Sequence, residues 1–263
     1  MTFELGLHGR KAVVIGASEG IGRDIALELA RAGVHLVLTA RSGDKLEALK
    51  AEIAGFAPAV SVTLVVLDLS LPGAAEQVMD AAGPHDILVN NAGAIPRGRL
   101  DEIDEEMWRR AWDLKVFGYI NLSRIAYARM KAAGKGVILN ILGNSGERVD
   151  AGYICGSVGN AALMAFTRAL GGVSHRDGIR VLAINPGPVA TERLVRLSRK
   201  EAGDRLGDAG RWHEFYKDFP FGRPATEPEI GKTAVFLVSD LSAYTTGTVV
   251  TIDGGMSHAG SLI

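Results

Sequence analysis

The sequence predicts an α/β protein: one doubly wound parallel β-sheet of about seven strands with helices on both faces. Three observations lead there. Short apolar runs alternate with helical stretches along all 263 residues. The runs are apolar at consecutive positions, which suits strands covered on two sides. A glycine cluster stands between the first run and the first helical stretch, where a strand must turn sharply into a helix.

Ala12-Val13-Val14-Ile15 forms the first strand and Gly16-Ala17-Ser18-Glu19-Gly20-Ile21-Gly22 the turn. Ile25, Ala26, Leu29 and Ala30 then recur at three- and four-residue steps, the apolar stripe of a helix. Later strands are predicted at Leu36–Thr39, Val60–Leu67, Ile87–Val89, Val137–Ile141, Val181–Ile184 and Val249–Ile252. Helices are predicted near 44–54, 71–82, 101–132, 156–175 and 227–239. This order implies ligand binding at the carboxyl ends of the strands.

With 47% hydrophobic and 22% charged residues, and no Pro- or Ser-rich linker, the chain 1–263 is predicted to be a single domain. The net charge of −1 provides no electrostatic footprint for nucleic acid. Cys155 is the sole cysteine, so an internal disulfide is excluded. Met1 to Lys11 lacks the apolar core of a signal peptide, and no run approaches the roughly 18 residues of a membrane span. A cytoplasmic protein without membrane partners is expected, and no metal site is predicted.

Glycines at such a turn let the backbone approach a pyrophosphate, whose charge is held by free amides and the positive helix end. A Rossmann-type dinucleotide site is therefore expected at Gly16–Gly22. Further motifs follow in order: Asp68-Leu69 after the third strand, Asn90-Asn91-Ala92-Gly93 after the fourth, Asn185-Pro186-Gly187 after the sixth and Asp253-Gly254-Gly255 after the last. Together these resemble the short-chain dehydrogenase/reductase family over essentially the whole chain. The resemblance implies an NAD(P)(H)-dependent oxidoreductase acting on a small carbonyl or alcohol. It also implies roles. Gly16, Gly20 and Gly22, with Ser18 and Ile21 nearby, would line the pyrophosphate turn. Asp68 and Leu69 would face the adenine; Asn90, Ala92 and Gly93 would border the adenosine ribose and brace the sheet. Pro186, Gly187, Val189 and Thr191 would surround the nicotinamide.

Cofactor choice turns on Leu38-Thr39-Ala40-Arg41-Ser42, at the end of the second strand. No acid is present there to accept from a ribose 2′-hydroxyl, and Arg41 offers a guanidinium that can fork onto a 2′-phosphate. NADP(H) is favoured, with NAD(H) possible; Glu19 argues the other way if it points toward the same phosphate.

Members of the resembled family use a tyrosine to exchange the proton, a lysine four residues later to lower its pKa and hold the ribose, a serine to polarise the carbonyl, and an asparagine to complete a relay. Here Asn160-Ala161-Ala162-Leu163, followed by Thr167-Arg168-Ala169-Leu170, resembles the stretch that begins at the lysine. That places the lysine position on Asn160, also a ribose-side cofactor position, and the tyrosine position on Gly156. Val137–Ile141 resembles the fifth strand, so the serine position is Gly143, thirteen residues before Gly156. Asp113–Gly118 places the asparagine position on Lys115. All four positions of the tetrad, Lys115, Gly143, Gly156 and Asn160, are thus substituted.

Four residues are candidates to take over. Tyr153 lies three residues before the vacated tyrosine position, and its phenol can enter space that a glycine leaves open. Lys115 shares a helix face with Trp108, Ala111, Trp112, Gly118, Tyr119 and Leu122, an apolar setting that lowers a lysine pKa. Packing and snorkelling are the alternative readings. Asn144 and Ser145 offer polar contacts to substrate or simply cap a loop. Cys155 reads as a small buried residue. The stretch 192–221, carrying Arg193, Arg196, Arg199, Lys200 and Arg205, corresponds to the family's substrate lid. A homodimer or homotetramer acting on a small molecule is expected. Two alternatives stay open: non-redox lyase or hydrolase chemistry, and a non-catalytic cofactor-binding or partner subunit.

Overall fold

The structure, a computed structural model, describes residues 4–259. Seven strands, β1 (Lys11–Ile15), β2 (His35–Ala40), β3 (Val62–Val66), β4 (Ile87–Asn90), β5 (Gly136–Ile141), β6 (Ile179–Pro186) and β7 (Thr248–Ile252), form one sheet in the order β3-β2-β1-β4-β5-β6-β7. Every pairing is parallel. The strand order reverses between β1 and β4, so a crevice opens there at the carboxyl ends.

Helices α1 (Gly20–Arg31), α2 (Gly43–Phe56), α3 (Ala74–Ala82), α4 (Glu105–Trp112), α5 (Gly118–Ala133), α6 (Ile154–Ser174), α7 (Glu192–Leu206) and α8 (Glu227–Val238) complete the domain. One face of the sheet is covered by α1, α2 and α8, which bury Ile25, Leu29, Leu49, Ile53, Ile230 and Leu237 against it. The other is covered by α3 and α5 through Val78, Met79, Leu122, Ala126 and Met130, and by α6 through Leu163 and Met164. Each such side chain larger than alanine, fully buried, contributes roughly 1.5–3 kcal/mol. Consecutive burial of Leu36, Val37 and Leu38 is the two-sided cover that the apolar runs predict.

Three departures from the predicted elements bear on function. The helix predicted over 101–132 is two helices joined by a π-helical turn at Asp113–Phe117. Asp104 starts the first of them by accepting the Met107 amide at 2.7 Å. The π turn inserts one extra residue per turn, and such bulges concentrate at functional positions; this one contains Lys115. The second departure is at α6, which begins at Ile154, so Gly156 lies inside its first turn. The third is the 192–221 stretch, where α7 is followed by a 3-10 helix at Ala209–Tyr216. Ser198 Oγ and Tyr216 Oη, 3.0 Å apart, and Arg199 over the Trp212 ring tie the two together. Among the described residues no helix is long and apolar enough to cross a membrane.

Candidate active site

Gly16 and Gly20 carry φ of +71° and +60°, the left-handed region that glycine adopts freely. A Cβ on Gly16 would lie 3.0 Å from Ala92 Cα, so the ends of β1 and β4 meet backbone to backbone. Gly22 serves differently. A Cβ there would overlap the Gly16 carbonyl and the Asn91 amide, which donates to that carbonyl at 3.0 Å. Gly22 therefore permits close helix–strand packing behind the turn and does not line it.

A cavity of about 330 Å³ opens beyond this turn, in the size range of small-molecule sites. Of the residues to which the sequence assigns cofactor roles, Gly16, Ser18, Gly20, Ile21, Arg41, Asp68, Leu69, Ala92, Gly93 and Thr191 line it. Asn90, Asn160, Pro186, Gly187 and Val189 do not reach its wall. Asn90 is fully buried and donates to Ser123 Oγ at 3.1 Å and Asn140 Oδ1 at 2.9 Å. Asn140 in turn donates to Thr167 Oγ1 at 3.0 Å, so this chain of bonds braces β4, β5 and α6. Pro186 ends β6, and the Gly187 amide donates to the Ile252 carbonyl at 2.9 Å. A Cβ on Gly187 would crowd Asp253, and Val189 is buried and bridged to Ala225. These residues carry the chain from β6 to α7 from behind.

Two charged pairs border the cavity. Lys45 from α2 meets Glu19 at 2.7 Å and holds its carboxyl below the usual range. Glu19 therefore faces a cation of the protein. Arg41 lies 3.8 Å from Asp68 with its side chain 71% exposed, free to turn toward a ligand.

At the β5–α6 end, Tyr153 is the cap of α6, and a Cβ on Gly156 would fall on the edge of its ring. The phenol thus lies directly over the glycine. Burial raises its pKa, while Arg193 and Arg97 pull it back. Hydrogen bonds fix the approach: Tyr153 N donates to Asp150 O at 3.0 Å, and Gly98 pairs with Tyr153 across the cleft.

Lys115 is 8% exposed. Its Nζ donates to Leu142 O at 3.1 Å, and its Cδ would stand 3.1 Å from a Cβ on Gly93. Burial, with Arg193 adding, lowers its pKa to about 8. Leu142 leads into Gly143, where a Cβ would lie 2.9 Å from Asn160 Nδ2. Asn160 Nδ2 donates to Ser145 Oγ at 2.9 Å, and its Oδ1 is buried without a partner. Lys115, Gly143, Ser145 and Asn160 therefore form one contiguous patch. Asn144 points elsewhere, toward Asp253 Oδ2 at 3.5 Å and Met256 Sδ at 3.8 Å. Cys155 is buried, with its thiol pushed up by burial, a packing residue.

Sequence reasoning places Arg193 only among the lid arginines and leaves out the Arg97 loop, yet both lie close to Tyr153. Arg193 Nη2 donates to Ile95 O at 3.5 Å, across the cleft from α7. What sets it apart from the other lid arginines is its place two residues past Thr191, which caps α7 by accepting the Leu194 amide at 3.2 Å. Among the described residues no group of His, Cys, Asp and Glu is arranged to hold a metal ion.

A family model described as enoyl-(acyl carrier protein) reductase matches residues 16–257. The chain belongs to the short-chain dehydrogenase/reductase family. It is 32% identical over 254 residues, 96% of this chain and 81% of the relative, to 2-keto-3-deoxy-L-fuconate dehydrogenase of Xanthomonas campestris. It is 32% identical over 252 residues, 95% of each chain, to galactitol 2-dehydrogenase (L-tagatose-forming) of Cereibacter sphaeroides. L-Sorbose reductase from Gluconobacter frateurii, solved with NADPH and L-sorbose, superposes with a TM-score of 0.92 at 31% identity, covering 98% of this chain and 100% of the reductase. The family's single-domain Rossmann fold and its oxidoreductase character are those predicted from the motifs.

Proposed function

We propose that this protein is an NADP(H)-dependent oxidoreductase that interconverts an alcohol and a carbonyl on a small polyhydroxylated substrate, with Tyr153 as the proton donor. NAD(H) is the second cofactor choice. The observation that carries the reading is the Tyr153 ring lying over Gly156: a phenol is supplied from three residues upstream to the place where the family's tyrosine side chain begins.

The cavity fits the cofactor. Left-handed Gly16 and Gly20 leave room for a pyrophosphate against the start of α1, and Arg41 suits a 2′-phosphate. The bound dinucleotide supplies or accepts the hydride. In the oxidative direction Tyr153 Oη takes the hydroxyl proton as the carbinol carbon loses hydride, and in reduction it returns that proton to the new alkoxide. Lys115, beside Gly93 and the patch that includes Asn160, supplies the positive charge that the asparagine lacks. It thereby favours the phenolate. Ser145, whose Oγ already accepts from Asn160, keeps its own proton to donate to the substrate oxygen. Asn144 has a supporting place through Asp253. The tetrad of the family is in this reading replaced, and 192–221 closes over the cleft as a lid.

The names of the relatives, a keto-deoxy sugar acid dehydrogenase, a galactitol dehydrogenase and an L-sorbose reductase, support sugars, polyols and their acids as the substrate class. Exposed Phe117, Val158 and Val173, on the π turn and α6, support a homodimer or homotetramer. The test is NADPH oxidation at 340 nm across a panel of ketoses and keto acids, run with wild type and Tyr153→Phe. Turnover lost in Tyr153→Phe while cofactor binding persists upholds the proposal. Turnover undiminished in the variant removes Tyr153 from the chemistry.

A further inference from the structure

We propose that the substrate is an acid: a small hydroxy or keto acid whose carboxylate is held by Arg97 and Arg193 beside the Tyr153 phenol. The inference rests on the oxidoreductase reading above.

Two guanidiniums act on one phenol. Arg193, the second residue of α7, reaches over the cleft to Ile95 O. Ile95 and Tyr153 pack in the same apolar cluster, and Gly98, next to Arg97, pairs with Tyr153. Both guanidiniums are near enough to act on the phenol, and Arg193 also acts on buried Lys115. Among the described residues no ion pair includes Arg97, Lys115 or Arg193.

Elsewhere on the lid three of the arginines have partners, and Arg196 points to solvent. Arg205 pairs with Glu201 and Arg211 with Glu214, each at 2.7 Å, and Arg199 stacks on Trp212. Within the cofactor cavity Glu19 is matched by Lys45. Like charges gathered around a desolvated ammonium repel one another, and a bound anion relieves that repulsion and steers its own approach. Guanidinium forks match two carboxylate oxygens in one plane. The amides flanking Arg97 are already spent, Gly98 N on Gly152 O and Arg99 N on Glu102 Oε2, so no backbone cradle for a phosphate remains there.

The competing anion is the cofactor pyrophosphate, because Arg193 also lines the cofactor cavity whereas Arg97 does not. The experiment compares four- to six-carbon aldonates with the alditols of equal length, and with alditol monophosphates, for wild type, Arg97→Met and Arg193→Met. Turnover is followed with cofactor, aldonate binding to the cofactor-saturated protein by calorimetry, and folding by circular dichroism. The expected result is an aldonate kcat/KM at least about tenfold above that of the alditols. Either substitution should lower it by at least about tenfold more than it lowers the alditol value, mainly through KM. A wild-type preference for alditols or monophosphates overturns the proposal, as does equal loss on both sets or a parallel tenfold loss of cofactor affinity. If nothing is turned over, the oxidoreductase reading fails on its own. Calorimetry then decides this one: aldonate binding lost in Arg97→Met upholds it, and aldonates binding no tighter than alditols overturn it.

Discussion

The glycine turn after β1 and the helix start after β5 lie at the same end of one sheet, and on the reading proposed above only the first works through the residues of its family motif. The difference follows from what each region asks of its sequence. The turn works through backbone: φ of +71° at Gly16, a close approach to Ala92, and amides at the start of α1. No side chain can supply that geometry, so the glycines are fixed by sterics. The β5–α6 region works through functional groups at the tips of side chains, and a phenol or an ammonium can arrive from a neighbouring position if the space is cleared. Gly156 clears it for Tyr153, and Gly93 clears it for Lys115.

The most severe way to break the comparison is to disturb the backbone side. Gly22→Ala places a methyl on the Gly16 carbonyl, with no flexible group to yield. We expect dinucleotide affinity, read by fluorescence titration, to fall about 100-fold, which is roughly 3 kcal/mol. An unchanged affinity would mean that the turn tolerates rearrangement and that its glycines are not sterically fixed.

On the side-chain half, Tyr153→Phe should lower kcat by about 10²–10⁴ with cofactor affinity retained. Gly156→Ala sharpens that result, since it removes no functional group but intrudes on the ring. It should cost about 1–3 kcal/mol of stability and displace the phenol, and chemical denaturation alongside kcat measures both. If Gly156→Ala leaves kcat intact, the ring's position over residue 156 has no catalytic meaning.

Much of this division is legible in the sequence. The sheet and the glycine turn are readable because apolar runs and glycines are local signals. The π turn is not, because Glu105–Ala133 reads as one continuous helical pattern and nothing in it marks where a residue is inserted. Asn90 is legible only in part for a related reason: the motif locates it as a brace of the sheet, but its bonds to Ser123 and Asn140 depend on side chains 33 and 50 residues away. Arg193 comes from the start of α7 and Arg97 from the loop after β4, and only the fold brings both near Tyr153.

Lys115 tests the claim that relocated chemistry strains its surroundings. Its folded pKa of about 8 lies below the ordinary 10.5, so the unfolded state binds more protons between those values and stability rises with pH across that window. Below pH 8 the group is charged in both states, and its burial costs about 3 kcal/mol. Lys115→Met should therefore raise the unfolding free energy at pH 7 by about 1–3 kcal/mol while lowering kcat by roughly 10–100-fold. Denaturant melts at pH 7 and pH 10 check the sign: the gain of the variant over wild type should shrink at the higher pH. A destabilised variant at pH 7 would mean that Lys115 is a structural cation.

The smallest effect belongs to Arg41, and it separates the two halves most cleanly. Its partner Asp68 is 3.8 Å away and its guanidinium is largely exposed, so removal leaves no buried charge behind. The loss is confined to whatever bond it makes with a 2′-phosphate, an exposed charge-assisted contact of about 1.5 kcal/mol. Arg41→Gln should weaken NADPH binding about tenfold and leave NADH nearly unaffected. Because this residue touches neither Tyr153 nor Lys115, kcat at saturating cofactor should hold. A fall in kcat would show that the cofactor half and the reacting half are coupled through the position of the dinucleotide, and that the tolerance of one to change is bounded by the other.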